Sequence, residues 1–225
     1  EMGLKSEEGF KEDFSNVFKK QKFLLNNKKT SVINLSLGKE QVWKRFEGRA
    51  RNLVRKAEKK ALKAQVIKAN DKWIEEYYGI LKETFNRNGA RVPHPLSFYE
   101  QIPALSKQGL IICIGVSIAE QLSSAGLFLV DGQRLVYFSG ATNREGMSLG
   151  APSLIQWKAI QLAMDFKLME FDLGGLGVPS IDKFKRSFGG YEINHHRWIY
   201  TATSMRTILP VGRWLVKKGI IKLNG

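Results

Sequence analysis

Between residues 110 and 142 the chain holds three strand-like runs in succession and leaves no room for a helix. The runs 110–118, 124–130 and 135–142 are dominated by apolar and β-branched residues, and Asp131-Gly132 between the last two is a hairpin signal. An apolar helical segment at 152–166 and a further strand at 169–173 come next. Consecutive antiparallel strands followed by a helix and another strand select an α/β (α+β) mixed sheet with helices on both faces.

The flanking sequence extends that core. Residues 1–30 are charged, with Phe10, Phe14, Phe18 and Phe23 spaced like one helix face, and read as an extension or the remnant of a preceding half. A short strand is expected at 30–36. One long helix is expected at 39–63, with Val42, Trp43, Phe46, Ala50, Val54 and Ala57 on its apolar stripe. A strand at 65–68 precedes a second helix, capped by Asn70 or Asp71, with Trp73, Ile74, Tyr77, Leu81 and Phe85 inward. A short helix at 97–106, a loop at 143–150 and a last strand at 191–203 complete a domain spanning 31–205. Residues 206–225 form a basic, hydrophobic tail.

The formal charge of +15 points to an anionic partner: nucleic acid, an anionic membrane surface or a phosphorylated substrate. Residues 39–63 carry ten Lys/Arg against three Glu, and Arg51, Arg55 and Lys59 stand in one row at four-residue spacing. The single Cys113 lies in an apolar run, which excludes an internal disulfide. His94, His195 and His196 lack ligand spacing, and no metal site is expected. No apolar run is long enough to span a bilayer and the first residues lack a signal-peptide core, so a cytoplasmic location is expected.

Residues 171–190, FDLGGLGVPSIDKFKRSFGG, gather the polar chemistry. They read as a strand end carrying Asp172, a glycine turn, and a short helix with Ser180 as N-cap and Gly189 or Gly190 as its left-handed stop. The helix presents Lys185 and Arg186 close behind the carboxyl end of a strand, where open α/β sheets bind ligands. Cations held there are candidates for handling negative charge on a substrate.

Four segments, 43–59, 84–89, 136–141 with 151–157, and 171–175 with 184–190, together resemble the GNAT superfamily. More narrowly they resemble the FemABX-type aminoacyltransferases, whose members carry two GNAT-like halves; this chain is similar to the second. The resemblance implies amide formation between an acyl or aminoacyl donor and an amine on a peptidoglycan or surface-polysaccharide precursor. The basic tail can lie on an anionic membrane, which would suit a lipid-linked precursor, or dock on the domain or on another half. It places Lys185 at the acyl-donor end, steadying either a tetrahedral intermediate or a donor phosphate, with Phe184 packed beside the donor. Arg87 and Tyr137 fall at acceptor-binding positions. Arg87 also suits a helix C-terminus and Tyr137 the core.

Asp172 is a candidate general base for the amine or a turn residue ordering the glycines. With no Ser-His-Asp or Cys-His arrangement in the sequence, direct attack by the amine is expected. The donor is aminoacyl-tRNA, met by Arg51, Arg55, Lys59 and Arg144, or acyl-CoA as co-substrate. The loop 143–152 has Arg144, Gly146 and Gly150, but lacks the tight arginine-glycine spacing of CoA enzymes, and Pro152 removes an amide donor. The alternative is a non-catalytic basic module of the same fold, binding RNA or an anionic membrane.

Overall fold

The structure is a computed structural model that describes residues 16–17, 20 and 23–200. Strand β1 (Phe23–Asn34) leads through a 3-10 turn (Leu35–Leu37) into α1 (Gly38–Arg45) and α2 (Gly48–Lys59). Strand β2 (Gln65–Ile67) precedes α3 (Asp71–Arg87), α4 (Leu96–Tyr99) and α5 (Ile102–Lys107). Strands β3 (Ile111–Ile118), β4 (Gln121–Asp131) and β5 (Arg134–Thr142) follow, then α6 (Arg144–Leu149) and α7 (Ala151–Asp165). The described chain closes with β6 (Glu170–Gly175), α8 (Pro179–Arg186) and β7 (Tyr191–Tyr200).

The strands form one seven-stranded sheet in the order β2-β3-β4-β5-β6-β1-β7. The meander β3-β4-β5 is antiparallel throughout, as its hairpin chemistry requires. β5 and β6 run parallel, joined by the crossover through α6 and α7, and they pair only at Arg134–Glu170, Leu135–Phe171 and Val136–Asp172. Past Val136 the two strands part company. β5 stays with β4 as far as Thr142, and β6 stays with β1, where Thr30 faces Gly175. A bulge helps to turn β5 away: Tyr137 pairs with Phe128 and Ser139 with Leu127, leaving Phe138 as the extra residue.

Both faces of the sheet are covered. On one face Val42, Phe46, Val54, Ile155, Ile160 and Phe188 pack against Ile114, Phe128 and Phe171 of the strands. On the other, Ile74, Tyr77 and Leu81 of α3, with Tyr99 and Ile102, cover Cys113 and Leu127. This is the mixed α/β sheet expected from the order of the elements. Burial pushes the Cys113 thiol up to about 12, so it is an unreactive core residue.

Residues Lys29–Ile193 make one compact unit, and residues Glu1–Lys28 with Asn194–Gly225 make another. In the second, the rings of Phe23 and Tyr200 meet at 5.3 Å. Phe23 opens β1 instead of continuing a helical face, whereas Phe10, Phe14, Phe18 and the tail 206–225 lie outside the described residues.

Three local expectations change. The helix expected at 39–63 breaks at Phe46 and Glu47, whose ψ angles of 139° and 152° are extended. Phe46 is drawn into a cluster with Trp43, Trp157 and Phe188, at centroid distances of 5.0–5.4 Å. The Glu47 amide meanwhile bonds the Ser187 carbonyl at 2.8 Å. The helix expected at 97–106 is two helices, because Pro103 has no amide proton and its ring crowds the carbonyl four residues back. The loop expected at 143–150 is the helix α6: the Asn143 side chain caps it from the Gly146 amide, and Gly150 at φ +86° ends it. Asn70 does cap α3, accepting from the Trp73 amide at 2.9 Å.

Candidate active site

The site is built where β6 runs out. Phe171 and Leu173 are buried, and Asp172 between them is also largely buried. Gly174 then turns through φ +79°, a conformation that favours glycine. A Cβ on Gly174 would lie 2.8 Å from the Tyr137 carbonyl oxygen and 3.3 Å from the Lys185 ammonium. Tyr137 of β5, Gly174 of β6 and Lys185 of α8 therefore converge at the point where the two parallel strands separate.

Asp172 holds that turn. Its Oδ1 accepts from the Gly174 amide at 2.7 Å and from the Thr30 hydroxyl on β1, and its Oδ2 lies 3.8 Å from the Arg134 guanidinium. Of the two roles open to Asp172, these bonds belong to a residue that orders the glycine turn.

Ser180 does not cap α8. Val178 occupies the N-cap, Pro179 follows, and the capping duty passes to a longer reach. Asp182 accepts from the Gly177 amide at 2.9 and 3.1 Å and from the Val178 amide at 3.2 Å. Asp182→Ala orphans both amides and is expected to lower unfolding stability by about 1–3 kcal/mol, read from urea midpoints.

Lys185 stands three residues beyond Asp182, on the same helical face. It is 8 % exposed, and its ammonium donates to the Gly175 carbonyl at 2.7 Å. Burial drives its pKa below the ordinary lysine value, while Asp182 and Asp172 pull the other way. Among the described residues, the Gly175 carbonyl takes one of the three ammonium protons.

The other expected site residues scatter around this centre. Phe184 is half-buried, its ring 5.1 Å from Phe188, and it lines a small cleft of about 80 Å³ beside Ser180 and Lys183. Lys185 lines neither that cleft nor the larger hollow of about 600 Å³ at the start of β6. Arg186 faces outward to Glu192 at 2.8 Å. Tyr137 packs against Phe128, and burial pushes its phenol up to about 12 against the opposing effect of the Gln156 side chain. The phenol thus stays protonated near neutral pH. Arg87 donates to the Thr142 carbonyl at 3.0 Å, clamping the end of α3 to the end of β5 together with Thr84.

The basic row divides. Arg51 turns to the Lys44 and Phe46 carbonyls and closes the break between α1 and α2. Arg55 lies over the Trp43 ring at 5.7 Å, and Lys59 and Arg144 are exposed.

Sequence reading missed Thr30, Asp182 and Gln156. Thr30 lies 142 residues from Asp172 and carries no local signal. Asp182 was legible in principle, as a carboxylate one turn ahead of a lysine. Gln156 was too, as a lone polar residue in an apolar stretch; it is buried with its Oε1 unpartnered among the described residues.

A mixed sheet whose parallel pair opens at the carboxyl ends, with a crossover helix beneath the opening, defines the class of GNAT-fold acyltransferases. The family model for the acetyltransferase (GNAT) domain matches residues 46–186, and the chain belongs to that family. Among solved structures, FemX is similar with a TM-score of 0.66 at 14 % identity, over 80 % of this chain and 63 % of that one. L-PGS from Bacillus licheniformis is similar with a TM-score of 0.60 at 12 % identity, over 92 % and 70 % of the two chains. So is the C-terminal domain of a protein provisionally described as a lysylphosphatidylglycerol synthetase from Agrobacterium fabrum, at 0.56 and 8 %, over 89 % and 68 %. At such identities these likenesses concern the fold. The chain spans 63 % of the length of FemX, and no curated protein matches it.

Proposed function

We propose that this chain is a Fem-like acyltransferase half that joins an acyl or aminoacyl group to an amine on a cell-wall or surface-polysaccharide precursor, with Lys185 as its catalytic cation. The observation that carries this reading is the buried Lys185 ammonium, held on the Gly175 carbonyl where β5 and β6 separate. A cation fixed in a poorly hydrated place needs little reorganisation as negative charge builds on a carbonyl oxygen.

In the reaction the amine nitrogen attacks the donor carbonyl, a C–N bond forms, and the carbonyl oxygen becomes an oxyanion that Lys185 steadies by hydrogen bonding. Collapse breaks the C–O bond of an aminoacyl ester or the C–S bond of a thioester. The departing alkoxide or thiolate ends protonated, and the amine nitrogen gives up one proton. In this reading Asp172 positions the turn, Phe184 packs beside the donor, and Tyr137 stays a neutral phenol packed on Phe128. Arg87 acts on the acceptor only through the end of β5.

Aminoacyl-tRNA is the favoured donor and acyl-CoA the second. The exposed Lys59 and Arg144, with Arg55, suit a polyanion, whose binding would come mainly from phosphate contacts.

The test supplies the chain with aminoacyl-tRNA or acyl-CoA and an amine-bearing cell-wall precursor, and follows amide formation by mass. Product with either donor supports the reading. Salt-sensitive RNA binding with no product from either donor would overturn it in favour of a binding module. The rate should also fall on the alkaline side at a pH below the ordinary lysine value of about 10.4, as Lys185 loses its proton. Lys185→Arg, which stays charged, should keep residual activity and lack that limb.

A further inference from the structure

β6 runs from Glu170 to Gly175, and Lys185 marks its far end. At its near end lies a separate hollow of about 600 Å³, between the start of α1, the last turns of α7 and the entry to β6. The hollow has an apolar floor of Leu35, Met164, Leu168 and Met169. Lys39, Lys158 and Lys167 stand around it, with Asp165 as the one carboxylate in its lining. Among the described residues none of these lysines pairs with Asp165 or any other carboxylate. Lys39 instead lies 5.9 Å from the centre of the Trp157 ring. The lining thus brings an excess of two positive charges to an apolar surface.

The backbone of Lys167 adds a second observation. α7 ends in a Schellman turn, with the Leu168 amide on the Ala163 carbonyl and the Lys167 amide on the Met164 carbonyl, both at 2.9 Å. Glycine usually fills the left-handed position of such a turn, yet here it is Lys167, at φ +57°. A long cation is held at the rim under a strain that glycine would avoid, which points from the backbone to a use for the side chain. Two exposed apolar residues flank the same turn, Phe166 at 57 % and Met169 at 51 % exposure.

We infer that this hollow seats the phosphate headgroup of an anionic lipid. Lys39, Lys158 and Lys167 meet the phosphate, and the acyl part lies along Met169 and Phe166. Inorganic phosphate would use the lysines and leave the apolar floor and rim without a role. Lysines bordering exposed apolar residues are the pattern of a surface that sits on an anionic membrane. The site lies at the opposite end of the strand from Lys185 and does not depend on the catalytic reading.

The test is calorimetric titration of the full chain with dihexanoyl phosphatidylglycerol below its micelle concentration. Dihexanoyl phosphatidylcholine and inorganic phosphate serve as probes that lack the net charge and the chains, respectively. Saturable binding of the anionic lipid, about tenfold tighter than either probe, is expected. Lys158→Ala with Lys167→Gly should weaken it about tenfold. Lys59→Ala with Lys60→Ala, which removes the same charge from the end of α2, should leave it unchanged. Lys167→Gly alone should raise the unfolding temperature while weakening lipid binding, an outcome that a purely structural Lys167 cannot give. Equal loss in the control pair would assign the affinity to net charge and overturn the site. Phosphate binding as tight as the lipid would overturn the lipid assignment, and absence of saturable binding would remove the site altogether.

Discussion

Lys185→Met lowers amide formation by about 100- to 1000-fold, the loss typical of removing one preorganised donor from a developing oxyanion. Methionine reproduces the four-atom apolar stem of lysine, ends one atom short of the ammonium, and brings no proton and no charge. The variant is expected to fold, because the change leaves one unpaired acceptor, the Gly175 carbonyl, and relieves the desolvation of a buried ammonium. Its stability at neutral pH should differ from the parent by less than about 2 kcal/mol.

The sign of the pH dependence separates charge from packing. Because the Lys185 pKa is lowered on folding, there is an alkaline window below the ordinary lysine value in which the unfolded chain binds the proton and the folded chain does not. Stability conferred by this group therefore rises with pH across that window. Lys185→Met should lack that rise in urea midpoints. Unchanged turnover in a folded Lys185→Met protein would take Lys185 out of the mechanism.

Gly189→Ala is expected to be the most damaging single-methyl change in the described chain, lowering stability by at least about 3 kcal/mol. Gly189 ends α8 at φ +70°, and a Cβ there would stand 2.7 Å from the Arg45 carbonyl carbon and closer still to its oxygen. The neighbour is backbone at the end of α1, so it cannot swing aside as a side-chain tip would. The same contact locates α8, and hence Lys185, against the break between α1 and α2. Thermal unfolding measures the loss, and a midpoint within a degree of the parent would refute the packing described here. The contrasting site is Gly48, where an added Cβ meets nothing within 4 Å and Ala should be tolerated.

Local chemistry made much of this structure legible. Asp131-Gly132 marked the β4-β5 hairpin, Asn70-Asp71 marked the start of α3, and the apolar stripe from Trp73 to Leu81 marked its buried face. The expectations that failed depend on distant residues. Nothing near Phe46 announces a helix break, because its cause is an aromatic cluster reaching Trp157 and Phe188 and a bond to Ser187. Ser180 satisfied the residue preference of an N-cap, but Asp182 reached both loop amides that needed an acceptor.

The site divides in the same way. Lys185 and Asp172 could be singled out as candidates because a strand end, two glycines and a short helix lie in one continuous stretch. The sequence could not indicate that Thr30 would bond Asp172, or that Arg51 and Arg87 would be drawn to carbonyls. Such partnerships form only when separate segments meet.

The placement of β1 bears on how the chain comes to be assembled on the ribosome. An early-made strand lies between β6 and β7, two of the last to emerge, so both of its edges wait for their neighbours through most of synthesis. The β3-β4-β5 meander can form as it appears, whereas the half of the sheet made by β6, β1 and β7 cannot close until the late strands arrive. Nascent chains halted before residue 175 should therefore protect the meander from proteolysis while leaving residues 29–34 open to cleavage.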